Sequence, residues 1–429
     1  MDKSFVVVGG QSDCFDSPVS VVIESPSEFS SIKLLDMDSK TLVPCQWECV
    51  ENRVVLTWIE PELKRLTSKK YEATFSQDPI ESDGAGVELI DTTSTMNGKV
   101  DVMVRGSLFT SYRYGLDWQR PFMHPVMGPY EDSITRSVPM EEVPGETRDH
   151  PSQVGLYTAH GSYHRASTGN AESLNQFDGT WGWGEGTGSI IHREFSVLEN
   201  GPVFGHMIAH NEWVSHDSEF NNFSATNDGI LSETREIKFY NTKGSYLADY
   251  TTTFKPIGGD VLWGDSKYVG MVSIRMATSM DVANGGRLEN SFGGINEQEC
   301  HGKKANWCDY SGPVNDKWVG IALMEHNKSF RHPTYWFARD YGLLASNPFA
   351  VNFFEGEGNG SYVLKSDNSI TFRYRIYVHA GNAVEANVVE KYNNYVNAPK
   401  PDTEHVESMS GAETQSYWDK NRATGRGNK

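Results

Sequence analysis

Histidine gains and loses a proton near neutral pH and is the commonest acid/base side chain and metal ligand. Seven of the 13 histidines in this chain fall in one stretch: His150, His160, His164, His192, His206, His210 and His216. Even spreading would put roughly two there. The first follows an aspartate, in Asp149-His150-Pro151. An Asp beside a His can orient the ring, although neighbours on a strand point apart. Pro151 biases His150 towards extended backbone. The run VGLYTAH then reads as a strand, with Tyr157 and His160 near the end where a cleft can open. His150 and His160 are the expected acid/base residues, with Asp149 in reserve.

A second source of chemistry is the run LSETREIKFY. Its alternation places Leu231, Glu233, Arg235, Ile237 and Phe239 on one face. A charge on an apolar face must be paired or must line a polar cleft. A carboxylate among apolar neighbours has its pKa raised, as a general acid requires, and a nearby Arg works against that. Glu233 is therefore an acid/base or nucleophile candidate and Arg235 a substrate clamp, against the alternative of a structural ion pair.

Sugars present apolar CH faces that stack on aromatic rings, and hydroxyls that suit Arg and Asp. The segment HNKSFRHPTYWFARDYGLLASNPF offers His332, Trp336, Arg339 and Asp340 for such contacts. Trp181 and Trp183 in TWGWGEG, and Tyr157, invite the same reading. His206-x3-His210 could place two metal ligands on one side of a strand, yet there is no HExxH, calcium loop or paired CxxC. No P-loop, no GxGxxG between strand and helix and no GxSxG elbow occurs. Neither metal nor cofactor is expected.

These residues have to be positioned by strands. FVVV, VSVVIE, SIKLLD, RVVLTWIE and YEATF read as a small antiparallel β domain over residues 1–80. An acidic stretch with Pro and Gly, residues 76–96, follows and reads as a linker or edge segment. A second β-rich region over 97–398 contains KVDVMVRG, LFTSYRYG, SIIHREFSVL, YLADYTTTF, YVGMVSIRM, WVGIALME and SITFRYRIYVH. No βαβ rhythm or internal repeat is visible, which excludes a parallel α/β fold and a propeller. One helix is expected, in NAVEANVVEKYNNYVNA, where Val388, Tyr392, Tyr395 and Val396 share a face. Residues 399–429 read as a polar, extended tail. The fold class is thus all-β: a small N-terminal β domain, a large β-sandwich and a C-terminal helix.

The net charge of −19 over 429 residues repels nucleic acid and anionic membrane. No apolar run reaches the ~18 residues of a membrane span. Five cysteines do not make a disulfide framework. The start MDKSFVVVGG does not read as a signal peptide, which points to a cytoplasmic location, or a periplasmic one after removal of a leader.

The motifs RPFMHPVMGP, DHPSQVGLYTAHGSY, GSIIHREF, GKKANWCDYSG and VGIALMEHNKSFRHPTYWFARDYGLLASNPF resemble, in order and spacing over roughly residues 97–380, the DUF6807 family. Its members are often labelled "PmoA-like" or methane oxygenase. That label implies a membrane subunit, which the absence of an apolar span rejects. What the resemblance implies instead is a β-sandwich from bacterial glycan-degradation genes, similar to the supersandwich of galactose-mutarotase-like proteins. Asp149, His150, Trp336 and Arg339 match the family pattern. Its usual D-H-P-H-H-R-G-L departs here to Ser152-Gln153-Val154 after Pro151.

The expected function is cleavage of glycosidic bonds in a bacterial or marine polysaccharide or its oligosaccharides by an acid/base glycoside hydrolase. A lyase acting by β-elimination, a sugar epimerase or mutarotase, and a non-catalytic glycan-binding protein are the alternatives. The expected partner is a carbohydrate, not nucleic acid or membrane, and an oligomer is left open.

Overall fold

The computed structural model describes residues 2–50, 53–79, 86–166, 188–215, 229–267, 270–401 and 407–408. The protein is all-β, and the strand pairings within its sheets are antiparallel. Residues 2–76 form a small sandwich. One of its sheets contains Asp2–Val8, Ser31–Asp36, Thr41–Val43 and Ser68–Ser76, and the other Cys14–Glu24, Cys45–Val50 and Arg53–Leu63. Alternate residues of these strands meet in a core around Phe5, Val21, Leu34, Leu56, Trp58 and Tyr71.

The main sandwich pairs a nine-stranded with an eight-stranded sheet. Their facing sides bury Leu156, Ile274, Leu344 and Trp336 from the first with Ile237, Phe254, Phe372 and Ile376 from the second. The helix lies where its apolar stripe requires, at Val388–Val396. Val388, Tyr392 and Tyr395 cover Leu247, Met324 and Tyr377 on the outer side of the eight-stranded sheet.

Two segments between and after the domains join sheets. Val87–Thr92, read as linker or edge segment, is the edge strand of the nine-stranded sheet, paired with Lys99–Val104. Val87 and Leu89 alternate into the core, and that short period is lost among the acidic residues around it. The chain after 399 does not simply run out into an extended tail. Lys400–Pro401 pairs with Val7–Val8, and Glu407–Ser408 with Val21–Val22, so it returns to both sheets of the N-terminal sandwich. Backbone pairing of this kind needs no apolar side chains.

The nine-stranded sheet positions the candidate site. Five of its strands are Phe122–Val126, Leu156–Tyr157, Ser273–Arg275, Leu343–Asn347 and Tyr335–Arg339. Their register aligns Phe122, Tyr157, Ser273, Ala345 and Phe337 in one row across the sheet. A neighbouring row holds Arg275, Leu343 and Arg339. Phe122, Tyr157, Ala345 and Phe337 pack in a cluster separate from the main core. Both rows therefore lie on the outer face, away from the other sheet.

Candidate functional site

The loop before Leu156 folds over this outer face and carries Asp149 and His150. Arg136 and Arg275, each almost wholly buried, fix it from beneath. Arg136 donates to the carbonyls of Asp149 (2.7 Å), His150 (3.0 Å) and Gln153 (3.2 Å) and to Asp149 Oδ1 (3.0 Å). Arg275 donates to both carboxylate oxygens of Asp149, at 3.0 and 3.2 Å, and to Gln153 Oε1 at 2.6 Å. Burial pushes the Asp149 carboxyl up. The His150 ring, Arg275 and Arg136 together outweigh that and hold it well below the usual carboxylate range.

Asp149 is thus an ionised acceptor, and His150 Nδ1 lies 2.5 Å from its Oδ2. With Nδ1–H donated to the carboxylate, Nε2 is left as the basic nitrogen. The ring stacks on Tyr341, with centroids 5.0 Å apart and planes 5° from parallel. The His150 side chain is 48% exposed, so this oriented imidazole is open to a ligand. The same Tyr341 ring lies 4.8 Å from the Arg275 guanidinium and 5.5 Å from that of Arg339. An Asp-oriented histidine beside a half-exposed arginine and an aromatic ring can transfer a proton on a bound molecule.

The local backbone departs from expectation. His150 has φ +45°, in the left-handed region, and not the extended form expected before Pro151. The bond from Gln153 N to His150 O (3.0 Å) closes a turn there, and Arg136 holds the same carbonyl. Long-range bonds override the proline's local bias.

The other expected residues scatter. Glu233 and Arg235 face the apolar side, as their alternation requires, and both are enclosed in the sandwich at 1% exposure. Arg235 binds the carboxylate through two nitrogens at 2.8 and 3.0 Å. Trp213 Nε1 and Thr252 Oγ1 each donate to it at 2.8 Å. That is a satisfied internal ion pair with no opening to a substrate, so the acid/base and clamp roles are corrected to a structural one. His160 is also turned inward. Its ring meets Trp263 and Phe349, and Nε2 lies 3.1 Å from Gly264 O.

Trp336 is fully buried, its Nε1 donating to Ala305 O at 2.9 Å, so it cannot stack on a sugar. One position along, Phe337 points outward and is partly open. His332 is tied to the buried Glu325 at 3.0 Å. Asp340 exchanges bonds with Glu297: its Oδ1 accepts from Glu297 N and its own N donates to Glu297 Oε2. It acts as a cap. Arg339 does reach the site, paired with Glu297 at 3.2 Å. Tyr157 lies in the floor, fully buried, under the Arg120 guanidinium at 4.6 Å.

The remaining histidines of the cluster, His192, His206 and His210, stand on two strands of the eight-stranded sheet, Gly188–Glu199 and Phe204–Ser215. The His164 side chain, His216, Trp181 and Trp183 lie outside the described residues. Sequence reading missed Arg136, Arg275, Tyr341 and Gln153. Tyr341 stood beside Asp340 in a segment already singled out. Gln153 belongs to the very departure from the family pattern, and it is buried against Arg275. Nothing in the local sequence marks Arg136 or Arg275.

The family of unknown function DUF6807 matches residues 99–393, which hold the whole of this site. The chain belongs to that family. No curated protein matches this DUF6807 member. Among solved structures it is similar to an alpha-mannosidase from Enterococcus faecalis V583, at 10% identity and a TM-score of 0.44, over 96% of this chain and 46% of that one. An alpha-galactosidase from Lactobacillus brevis follows at 6% identity and a TM-score of 0.33, over 71% of this chain and 41% of that one. A GalM/aldose epimerase homologue from C. elegans matches at 8% identity and a TM-score of 0.28, over 69% of this chain and 99% of that one. The chain spans less than half the length of the mannosidase and galactosidase chains. Overlaps this loose leave the chemistry to be read from the site. Among the described residues no helix is long and apolar enough to cross a membrane.

Proposed function

We propose that this DUF6807 protein is a carbohydrate-active enzyme that cleaves glycosidic bonds in a polysaccharide or its oligosaccharides, with His150 as the proton-transfer group. The observation that carries this reading is the Asp149–His150 pair, oriented at 2.5 Å and stacked on Tyr341 with the ring still open to solvent. Asp149 fixes the tautomer, as the orienting carboxylate does in acid/base dyads. Arg339 and the outward aromatic rings supply hydroxyl and ring contacts for a sugar.

β-Elimination is the second reading, and one feature favours it over hydrolysis. Hydrolysis classically sets two carboxyl groups across the scissile bond. Here Asp149 is engaged by two guanidiniums and an imidazole, and Glu233 is sealed in the core. The free group is an imidazole beside Arg339, which suits a base acting α to a uronate carboxylate.

The test is a panel of neutral and acidic polysaccharides, read by new reducing ends and by ultraviolet absorbance of unsaturated products. His150→Ala should lower turnover by about 100-fold or more. Full turnover in that variant, or no cleavage of any glycan by the native chain, would remove this reading. Absorbance rising with reducing ends selects the lyase; reducing ends alone select the hydrolase.

A further inference from the structure

The outer face continues beyond Tyr341. On the strand Tyr335–Arg339, alternation turns Tyr335, Phe337 and Arg339 outward together. The five-residue helix Val351–Glu355 sets Phe353 and Phe354 beside them. Phe354 lies 6.5 Å from Phe337, 5.5 Å from Tyr335 and 5.1 Å from Phe353, between ring centroids. Towards the dyad, the Arg339 guanidinium lies 5.7 Å from Phe337 and 5.5 Å from Tyr341. A path of rings thus runs from Phe353 to His150.

The path is firmly seated. Phe354 lies over Gly302, which has φ +69° and whose position leaves no room for a side chain: a Cβ would fall 2.6 Å from the ring. Asp265 Oδ2 accepts from Asn352 N at 2.8 Å and Gly360 N at 2.7 Å, tying the start of the helix to the chain that follows it. The path is also open. Phe353 is 47% exposed, and Phe337, Tyr341 and Phe354 are half-buried. Polar groups alternate with the rings. His301 meets Phe337 and Phe354 edge-on at 4.8 and 5.3 Å, and Lys267 lies 5.2 Å over Phe353.

A contiguous row of part-open aromatic rings marks a binding surface. A protein partner would favour an apolar centre with its charges at the rim. Here cations and an imidazole stand between the rings, as befits a ligand with apolar faces and a hydroxyl edge. The row is also continuous with the proton-transfer site.

We propose that this path is a row of sugar subsites and that the substrate is a linear glycan lying from Phe353 to His150, an assignment that rests on His150 as the bond-cleaving group. A free monosaccharide would leave most of the path unused.

The experiment uses the full chain with xylan, alginate, homogalacturonan and mannan, and their oligosaccharides from disaccharide to octasaccharide. Binding is read by retardation in native gels and by titration, and turnover by product analysis. Phe353→Ala and Phe354→Leu, the second keeping the seat over Gly302 filled, should each weaken octasaccharide binding by roughly tenfold and leave the disaccharide unchanged. Equal losses at every length, no loss at any length, or no retardation by any of the four polymers overturns the subsites. His150→Ala separates this inference from the catalytic reading. Cleavage lost with retardation kept supports both, whereas cleavage kept removes the catalytic role and leaves the subsites to stand on binding.

Discussion

Three contacts of different kinds fix the His150 ring: a carboxylate on Nδ1, a phenol beneath the ring and a turn closed through its carbonyl. None comes from a residue whose own position is left loose. Asp149 is held by two buried arginines, and Tyr341 by contact with Arg275 and Arg339. One neighbour works against this stability. Asp281 sits close to Arg275 and beneath Gly342, with a buried Oδ1 that lacks a hydrogen-bond partner. Burial raises its pKa from 3.8 to about 6, opposed by Arg275 and Arg136 and reinforced by Asp149. The folded state therefore holds this proton more tightly than the unfolded chain. Its contribution is full below about pH 4 and is lost as pH rises through 6. Asp281→Asn should raise Tm by a few degrees at pH 7.5 and leave it unchanged at pH 4, by differential scanning calorimetry. A gain of equal size at both values would exclude ionisation as the cause.

At the scale of elements, parity decides which residues meet a ligand. On the strand Tyr335–Arg339 the even members Trp336 and Ala338 are core and the odd members Phe337 and Arg339 are partly open, so moving the reading by one residue exchanges a buried indole for an open phenyl ring. The strand Leu231–Tyr240 shows the opposite outcome. Its inward face carries a charged pair that the interior fully satisfies. Removing one partner strands the other charge between the sheets. Glu233→Ala should cost about 3–5 kcal/mol of stability, read from the urea midpoint. Turnover per folded molecule should stay close to native, because the pair lies inside the sandwich and His150 on its outer face. A selective loss of turnover at native stability would return Glu233 to the catalytic group.

Across the whole molecule, the two faces of the main sandwich divide the labour. The outer side of the nine-stranded sheet carries the candidate site. The outer side of the eight-stranded sheet receives the helix and the N-terminal sandwich. The second junction is polar as well as apolar. Gln46 Oε1 accepts from Val203 N and Phe204 N, and Lys391 donates to Asp16 O and Ser17 Oγ. At its centre His206 lies 3.3 Å from Glu48 and 2.7 Å from Glu236, with Lys238 on the other Glu48 oxygen. Burial and Lys238 lower the His206 pKa, but Glu236 and Glu48 outweigh them and raise it overall. The stabilisation is thus full below about pH 6.5 and fades as pH rises through the folded pKa. His206→Gln should speed amide exchange at Val203 and Phe204 at pH 6, and the gap to the native chain should narrow at pH 9. A gap independent of pH would show that packing, not charge, holds the junction.

The sequence by itself determined what depends on local period and composition. That covers the all-β class, the helix at Val388–Val396, the inward face of Glu233 and Arg235, and the adjacency of Asp149 and His150, whose side chains meet. These follow from neighbours a few residues apart. The tertiary structure decided what depends on residues far apart in the chain. Arg275 stands 126 residues from the carboxylate it grips, and strand register alone sets Arg275 in one row with Arg339. It also decided exposure, because a strand's period tells two faces apart but does not say which one another sheet will cover. Hence Trp336 and His160 went to the core, while Phe337 stayed partly open on the outer face and Tyr341 partly open against His150.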